Sequence, residues 1–165
     1  MESPPRVVGT NRRDVVVAGV MATMTAGISA TASASQGEAG VVAIFLSLLL
    51  AGKTPLINGD GKQTRDYVYV GDVVEANLAA LESSYVGPIN IGTGIETDVV
   101  AIFESLRDAV GSRVKARHGP AKPGEQRRSC LDNRHACQVL GWRPQFVLAD
   151  GLERTAEYYR ENLDR

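Results

Sequence analysis

Arg65 is the residue of this sequence whose type and position best suit the binding of an anionic ligand. It follows the Gly-Asp-Gly segment 59–61 and precedes the alternating aromatic and β-branched residues 67–70. Glycine adopts positive φ angles at little cost, so the segment predicts a tight turn, and the alternation predicts a strand. A guanidinium at the mouth of a sheet offers a planar fork for phosphate or carboxylate. A salt bridge from Arg65 to Asp60 or Asp66 is the alternative that these residues leave open.

Regular patterns along the chain predict the elements that hold this turn in place. Apolar residues recur at helical or strand spacing between turn signals. In chain order we expect a helix over 38–51, a strand over 55–58, a helix over 73–82 capped by Asp72, a strand over 89–91, a helix from a Thr97 or Asp98 cap to 110, a strand over 114–118, a helix from an Asp132 cap to 140, and a helix over 148–162. Because strands and helices interleave, the sequence predicts the α/β class.

Length and composition exclude several classes of function. The 165 residues suffice for one substantial core, and a net charge of −1 provides no basic field for nucleic acid. Neither the two cysteines, Cys130 and Cys137, nor the two histidines, His118 and His135, have the spacing of a zinc site or a disulfide framework. We therefore expect no metal site.

Residues 1–36 differ in character from the rest of the chain. Arg12 and Arg13 precede a short apolar run, and small residues follow it, which is the layout of a twin-arginine export signal. The apolar run is too short to span a bilayer. Disorder, a misplaced gene start or a frameshift is the alternative explanation. We therefore divide the chain into an unmatched segment, 1–36, and a domain, 37–165.

Six blocks of the domain resemble one protein family in their order and spacing. The blocks are "GEAGVVAIF", "GDGKQTRDYVYVGDVVEANLAAL", "INIGTG", "AKPGEQRRSCLD", "LGWRPQ" and "GLERTAEYYRE". Together they resemble the C-terminal half of the NAD-dependent nucleotide-sugar epimerases and dehydratases, extended short-chain dehydrogenases/reductases, and within them the UDP-glucose 4-epimerases. The resemblance implies the substrate-binding portion of an extended Rossmann-type epimerase, with an incomplete parallel sheet.

The resemblance also implies roles for three polar residues. The arginine at the position of Arg65 contacts the pyrophosphate of the nucleotide-sugar in the family. Glu125 matches an acid that accepts hydrogen bonds from the ribose hydroxyls. Lys122 stands where the family usually has a phosphate-binding arginine, and an ammonium cannot make the bidentate contact of a guanidinium. Arg127 or Arg128 is the candidate to compensate.

Three further positions match the family's contacts to the base and its surroundings. Leu56 and Asn58 match residues that line the uracil pocket, where the second residue is usually aromatic, so Asn58 removes a stacking partner worth about 1 kcal/mol. Ile95 matches another apolar contact. For Leu56 and Ile95, plain core packing is the alternative.

Two features that the family needs for catalysis do not occur in this sequence. No tyrosine is followed by lysine four residues later, and the N-terminal glycines do not form a dinucleotide-binding turn. We assign no catalytic residue and do not expect this chain alone to bind NAD or to turn over. A UDP-sugar is the expected ligand, and self-association or a complementing NAD-binding half is the expected partner. A non-catalytic nucleotide-sugar-binding module or a decayed gene fragment is the alternative. Cytoplasmic location is expected, with export as the alternative.

Overall fold

The computed structural model describes residues Val17–Ala18 and 40–162, and the proposed export signal lies largely outside this part. Its elements are β1 (Val17–Ala18), α1 (Val41–Leu50), β2 (Leu56–Asn58), β3 (Thr64–Asp66), α2 (Val70–Glu82), β4 (Ile89–Asn90), β5 (Glu96–Asp98), α3 (Val99–Ala109), β6 (Arg117–Gly119), α4 (Arg134–Leu140) and α5 (Leu148–Asn162). Strands β1 and β4 pair in parallel, as do β2 and β6, whereas β3 and β5 are antiparallel. The predicted α/β class is confirmed.

The larger hydrophobic core lies between α1, α3 and α5. The rings of Phe45 and Phe103 meet edge to face, with 5.7 Å between their centroids. The buried members of this core are Phe45, Leu46, Leu49, Ile57, Val99, Ile102, Phe103, Leu106, Leu152 and Ala156. Ile57 belongs to β2 and Val99 begins α3, so this core fixes the strand that leads into the Gly-Asp-Gly turn and the helix against which the turn packs.

A smaller core joins α2, β4 and α4, and it corrects one expectation. Asp72 does not cap α2, because the helix begins at Val70. The Asp72 side chain is fully buried and accepts hydrogen bonds from the backbone N–H groups of Gln145 at 2.8 Å and Phe146 at 3.2 Å. Trp142 Nε1 donates to the Asp72 carbonyl at 2.9 Å. Asp72 therefore attaches the segment before α5 to the first turn of α2.

The strand that carries Arg65 differs from the predicted one. The expected strand over 67–70 is wrong: β3 covers Thr64–Asp66, and the chain enters α2 at Val70. The partner strand β5 has the sequence Glu-Thr-Asp, which lacks the apolar alternation of a strand. Its pairing with β3, with Arg65 opposite Thr97, comes from tertiary packing.

Smaller shifts occur at the ends of other elements. Strand β6 covers Arg117–Gly119 and overlaps only the end of the expected range. The N-cap of α4 is Asn133, and Asp132 accepts a hydrogen bond from the Arg134 backbone N–H instead. Asp98 is confirmed as the N-cap of α3, because its side chain accepts from Ala101 N at 2.8 Å.

Helix α2 has a second apolar face that no described residue covers. Val70, Val74, Leu78 and Leu81 follow one another at spacings of three or four residues and are 41–64% exposed. The opposite side, with Ala76 buried, packs in the smaller core. A helix that is apolar on two sides is typical of one packed between two layers. We call Val70, Val74, Leu78 and Leu81 the α2 surface.

None of the described helices is both long and apolar enough to cross a membrane.

Candidate ligand-binding site

The Gly-Asp-Gly turn packs against the N-terminus of α3. Gly61 has φ 71°, and a Cβ at this position would lie 2.6 Å from Val100 Cγ2 and 2.8 Å from Ile57 Cγ2. The Gly61 carbonyl accepts from the backbone N–H groups of Val99 at 3.0 Å and Val100 at 3.3 Å. The turn therefore has no space for a side chain at Gly61, and its contact with α3 holds the start of β3 in place.

The guanidinium of Arg65 is anchored through one nitrogen. Nη1 donates to the carbonyls of Thr64 at 2.7 Å and Gln126 at 2.8 Å. Nε and Nη2 make no hydrogen bond to any residue that the structure describes. The alternative salt bridge is wrong for both acids, since Asp60 pairs with Arg127 at 2.8 Å and Asp66 binds backbone groups. The anchored guanidinium thus keeps two nitrogens without a partner among the described residues.

Asp66 is a buried carboxylate that joins three segments of the site. Its oxygens accept from Thr93 N at 2.8 Å, Thr93 Oγ1 at 2.5 Å, Gly94 N at 2.9 Å and Leu131 N at 3.2 Å. A Cβ at Gly92 would lie 2.6 Å from Asp66 Oδ2, so the loop approaches as closely as glycine permits. Asp66 therefore fixes β3 relative to the loop after β4 and to the segment before α4.

The segment after residue 126 runs beside β3 and brings the loop 122–126 to Arg65. Thr64 N donates to the Arg127 carbonyl at 2.8 Å, and Ser129 N donates to the Thr64 carbonyl at 3.2 Å. Within the loop, Glu125 N donates to the Lys122 carbonyl at 3.2 Å. The loop backbone thus forms a turn that presents Lys122 and Glu125.

Asn58 and Glu125 are brought together through a residue that the sequence did not single out. The Nε2 atom of Gln63 lies 3.4 Å from the Asn58 carbonyl and 3.5 Å from Glu125 Oε2. Asn58 also pairs with Gly119 in the parallel β2–β6 ladder, just before the loop. The pattern "GKQTRD" gave no sign of this role, because the partner acid lies 62 residues further along the chain.

Leu56 and Ile95 are both exposed, so the core-packing alternative is wrong for each. Leu56 is 46% exposed and packs its Cδ1 over Gly119. Ile95 is 66% exposed and borders a pocket of about 230 Å³ with Tyr67 and Thr97. Leu56, Asn58, Lys122 and Glu125 do not line that pocket. The structure thus places Ile95 at a pocket separate from the Asn58–Glu125 group.

The neighbouring acids are held by cations. Hydrogen bonds from Arg127 keep the pKa of Asp60 well below its usual range. The Arg128 guanidinium, followed by the Thr64 hydroxyl, lowers the pKa of Glu96 to about 2. Arg127 and Arg128 are thus each paired with a carboxylate. This arrangement differs from the one expected if either arginine directly replaced the arginine that the family usually has at the position of Lys122.

Tyr67 also belongs to this region and was not assigned by sequence. Its hydroxyl is buried and has no hydrogen-bond partner among the described residues. Burial raises the pKa of Tyr67 to about 12. The ring packs against the larger core, so the residue supports β3 from within.

Comparison with known proteins settles the family of this chain. The sequence model of the GDP-mannose 4,6-dehydratase family matches residues 17–155. The chain belongs to this family. The fold of the chain agrees with that assignment, since solved Rossmann-type epimerases superpose on most of it. The resemblance found in the sequence is therefore confirmed.

Individual relatives of this family member are epimerases of UDP-sugars. A UDP-glucose 4-epimerase of Mycolicibacterium smegmatis is 48% identical over 126 residues, which cover 76% of this chain and 40% of the relative. A putative UDP-glucose 4-epimerase of Methanocaldococcus jannaschii is 42% identical and is covered to 41%. The solved UDP-glucose 4-epimerase of Thermotoga maritima with UDP-glucose gives a TM-score of 0.74 at 45% identity, over 78% of this chain and 41% of that one. The family member thus spans about two fifths of the relatives it matches.

Proposed function

We propose that this chain is the nucleotide-sugar-binding part of a UDP-glucose 4-epimerase-like, NAD-dependent enzyme. The observation that supports this most is the state of Arg65, whose Nη1 is tied to two carbonyls while Nε and Nη2 bind no described residue. A guanidinium anchored in this way can make bidentate hydrogen bonds to a diphosphate with little further loss of side-chain entropy. Solved relatives bound to UDP-glucose support the ligand class.

The remaining contacts follow from the positions around Arg65. Glu125 would accept hydrogen bonds from the ribose hydroxyls, and Lys122 would add a positive charge beside the phosphates. Leu56 and Asn58, both on β2, would border the base, and the Asn58 amide would replace aromatic stacking with a polar contact. Ile95 would contact the ligand from the pocket beside Tyr67.

The described residues do not fit the cofactor of the family. A dinucleotide-binding loop offers its backbone N–H groups to a pyrophosphate. The glycine-flanked loop after β4 instead donates from Thr93 N and Gly94 N to the internal carboxylate of Asp66. We therefore place NAD binding and hydride transfer outside the described residues. A solved relative, the UDP-glucose 4-epimerase of Thermus thermophilus, is in complex with NAD.

The α2 surface is suited to pack against an NAD-binding part of the enzyme. Its four apolar side chains form one stripe on a helix whose other side is already packed in the smaller core. An apolar stripe of this kind is typical of an interface. We place the protein in the cytoplasm, because nucleotide-sugars and NAD occur there.

Calorimetric titration with UDP, UDP-galactose and dTDP-glucose tests the proposal. We expect the wild-type chain to bind UDP, and Arg65→Ala to weaken binding about 10- to 100-fold, since hydrogen bonds to charged groups contribute about 1.5–3 kcal/mol. Arg113→Ala is the matched control, because Arg113 is exposed and makes no ion pair to the described residues. Absence of UDP binding, or equal binding by Arg65→Ala, would contradict the proposal.

A catalytic assay separates the binding part from a complete enzyme. With NAD added, the chain alone is expected to leave UDP-glucose and UDP-galactose unchanged. Interconversion by the purified chain without a second polypeptide would contradict the division of roles, even if UDP binds as expected.

A further inference from the structure

Gln63 is a buried polar side chain between two segments of the proposed site. It is 5% exposed, and its Nε2 lies within reach of both the Asn58 carbonyl and Glu125 Oε2. A buried amide without partners is unfavourable, so these two acceptors hold the Gln63 side chain in place. The amide in turn gives Glu125 a donor that comes from the protein interior.

Glu125 differs in this respect from three other acids near β3. Asp60 is paired with Arg127, Glu96 with Arg128, and Asp98 with Lys62. The hydrogen-bond partner of the Glu125 side chain among the described residues is the neutral Gln63 amide. The Gln63 amide contacts only Oε2, so Oε1 stays available as an acceptor for a ligand.

We infer that Gln63 is a positioning residue that orients the Glu125 carboxylate toward two adjacent hydroxyl groups of the ligand. This inference rests on the proposed function, because it takes the ligand to contain a ribose. The contact of Gln63 with Oε2 limits rotation of the carboxylate. Oε1 makes no hydrogen bond to the described residues and can accept one from a ribose hydroxyl.

The test compares UDP with 2′,3′-dideoxyuridine diphosphate, which lacks both hydroxyl groups. We expect the wild-type chain to prefer UDP about 10-fold or more, as hydrogen bonds to a charged acceptor predict. Gln63→Leu should reduce the preference to about 3-fold or less and leave the dissociation constant of the dideoxy compound within about 2-fold. If Gln63 had only a structural role, Gln63→Leu would weaken the binding of both compounds equally and leave the preference for UDP intact.

Three variants complete the experiment. Glu125→Gln should reduce the preference to a similar extent, and Gln63→Leu combined with Glu125→Gln should reduce it no further, because both act through one contact. Gln138→Leu on the exposed side of α4 controls for the change of glutamine to leucine and should keep the wild-type preference.

The outcomes separate this inference from the proposed function. If Gln63→Leu keeps the wild-type preference, the inference is overturned while the proposed function stands. If the wild-type chain binds no UDP, both are overturned. Should Gln63→Leu fail to fold, Gln63→Met retains the length of the side chain and removes the amide donor that reaches Glu125. That variant is expected to lose the preference, and its retention would also overturn the inference.

Discussion

Asp66 and Thr93 are joined by two hydrogen bonds to a single carboxylate oxygen. Thr93 donates to Asp66 Oδ1 from its backbone N at 2.8 Å and from its hydroxyl at 2.5 Å. The carboxylate is buried, and its partners are neutral groups of the loop after β4 and of Leu131. The residue next to the proposed ligand-binding arginine thus has a separate task, which is to hold three segments together.

Substitution Asp66→Asn is expected to destabilise the fold. The amide NH2 group would face backbone donors, so the free energy of unfolding should fall by about 2–4 kcal/mol. Urea unfolding followed by circular dichroism measures this. The control Asp108→Asn changes an exposed acid paired with its neighbour Arg107, and its effect should stay within about 0.5 kcal/mol. Equal losses in the two variants would contradict the role of Asp66.

Substitution Gly61→Ala tests the fit of the turn against α3. The new Cβ would overlap Val100 Cγ2 in a backbone of positive φ, so thermal stability should fall markedly. Gly52→Ala is the matched comparison, since Gly52 has φ 66° but no atom within 4 Å of an added Cβ. The difference in the free energy of unfolding between the two variants measures the cost of the steric overlap at Gly61, and we expect it to be about 1–3 kcal/mol. No difference would show that the turn moves away from α3 freely.

The ion pair of Glu96 and Arg128 predicts a loss of stability in acid. The folded-state pKa of Glu96 is about 2, below its ordinary value of 4.5. Stability from a lowered pKa is present above the ordinary value and is lost as the pH falls from about 4.5 toward 2. The stability difference between wild type and Glu96→Gln should therefore shrink across this window in urea titrations.

NMR titration of the Glu96 carboxyl gives an independent check on that ion pair. Arg128→Gln removes the first cause of the lowered pKa, so the midpoint should move upward. An unchanged midpoint would assign the shift to the Thr64 hydroxyl, which donates to Glu96 at 2.6 Å, and would contradict the ion pair as the main cause.

The α2 surface is expected to make the purified chain self-associate. Val74 and Leu78 are each 50% exposed at its centre. Their combined change to glutamine should shift sedimentation toward the monomer, because it removes apolar surface from the stripe. Val86→Gln alters an exposed residue outside α2 and should leave the distribution unchanged. A wild-type chain that is monomeric at all concentrations would contradict this expectation.

Local signals predicted the helices well. The buried apolar residues of α3, Val99, Ile102, Phe103 and Leu106, and the Asp98 cap lie within one short segment, so their pattern could be recognised from neighbouring residues. Strand β5 could not be predicted in this way, because Glu96–Asp98 becomes a strand through its pairing with β3. The expected Asp72 cap was wrong because the acid finds its partner N–H groups at Gln145 and Phe146, more than 70 residues away.

In the site, too, the local sequence pattern predicted some features, whereas others depend on contacts with residues far along the chain. The "GDGKQTRDY" pattern was sufficient to select Arg65, but its anchoring by the Gln126 carbonyl, 61 residues away, required the structure. The role that we infer for Gln63 also depends on a contact with a residue far along the chain. Lys122 and Glu125 were selected by resemblance, and their roles in binding stay predictions.

The sole tryptophan of the chain provides a built-in optical probe of one core. Trp142 is buried in the smaller core, and its indole donates to the Asp72 carbonyl in α2. Its fluorescence should therefore report the separation of α4 from α2, while the larger core contains no tryptophan and contributes no indole emission. Comparing emission with helical circular dichroism during unfolding would reveal whether the two cores melt together or one after the other.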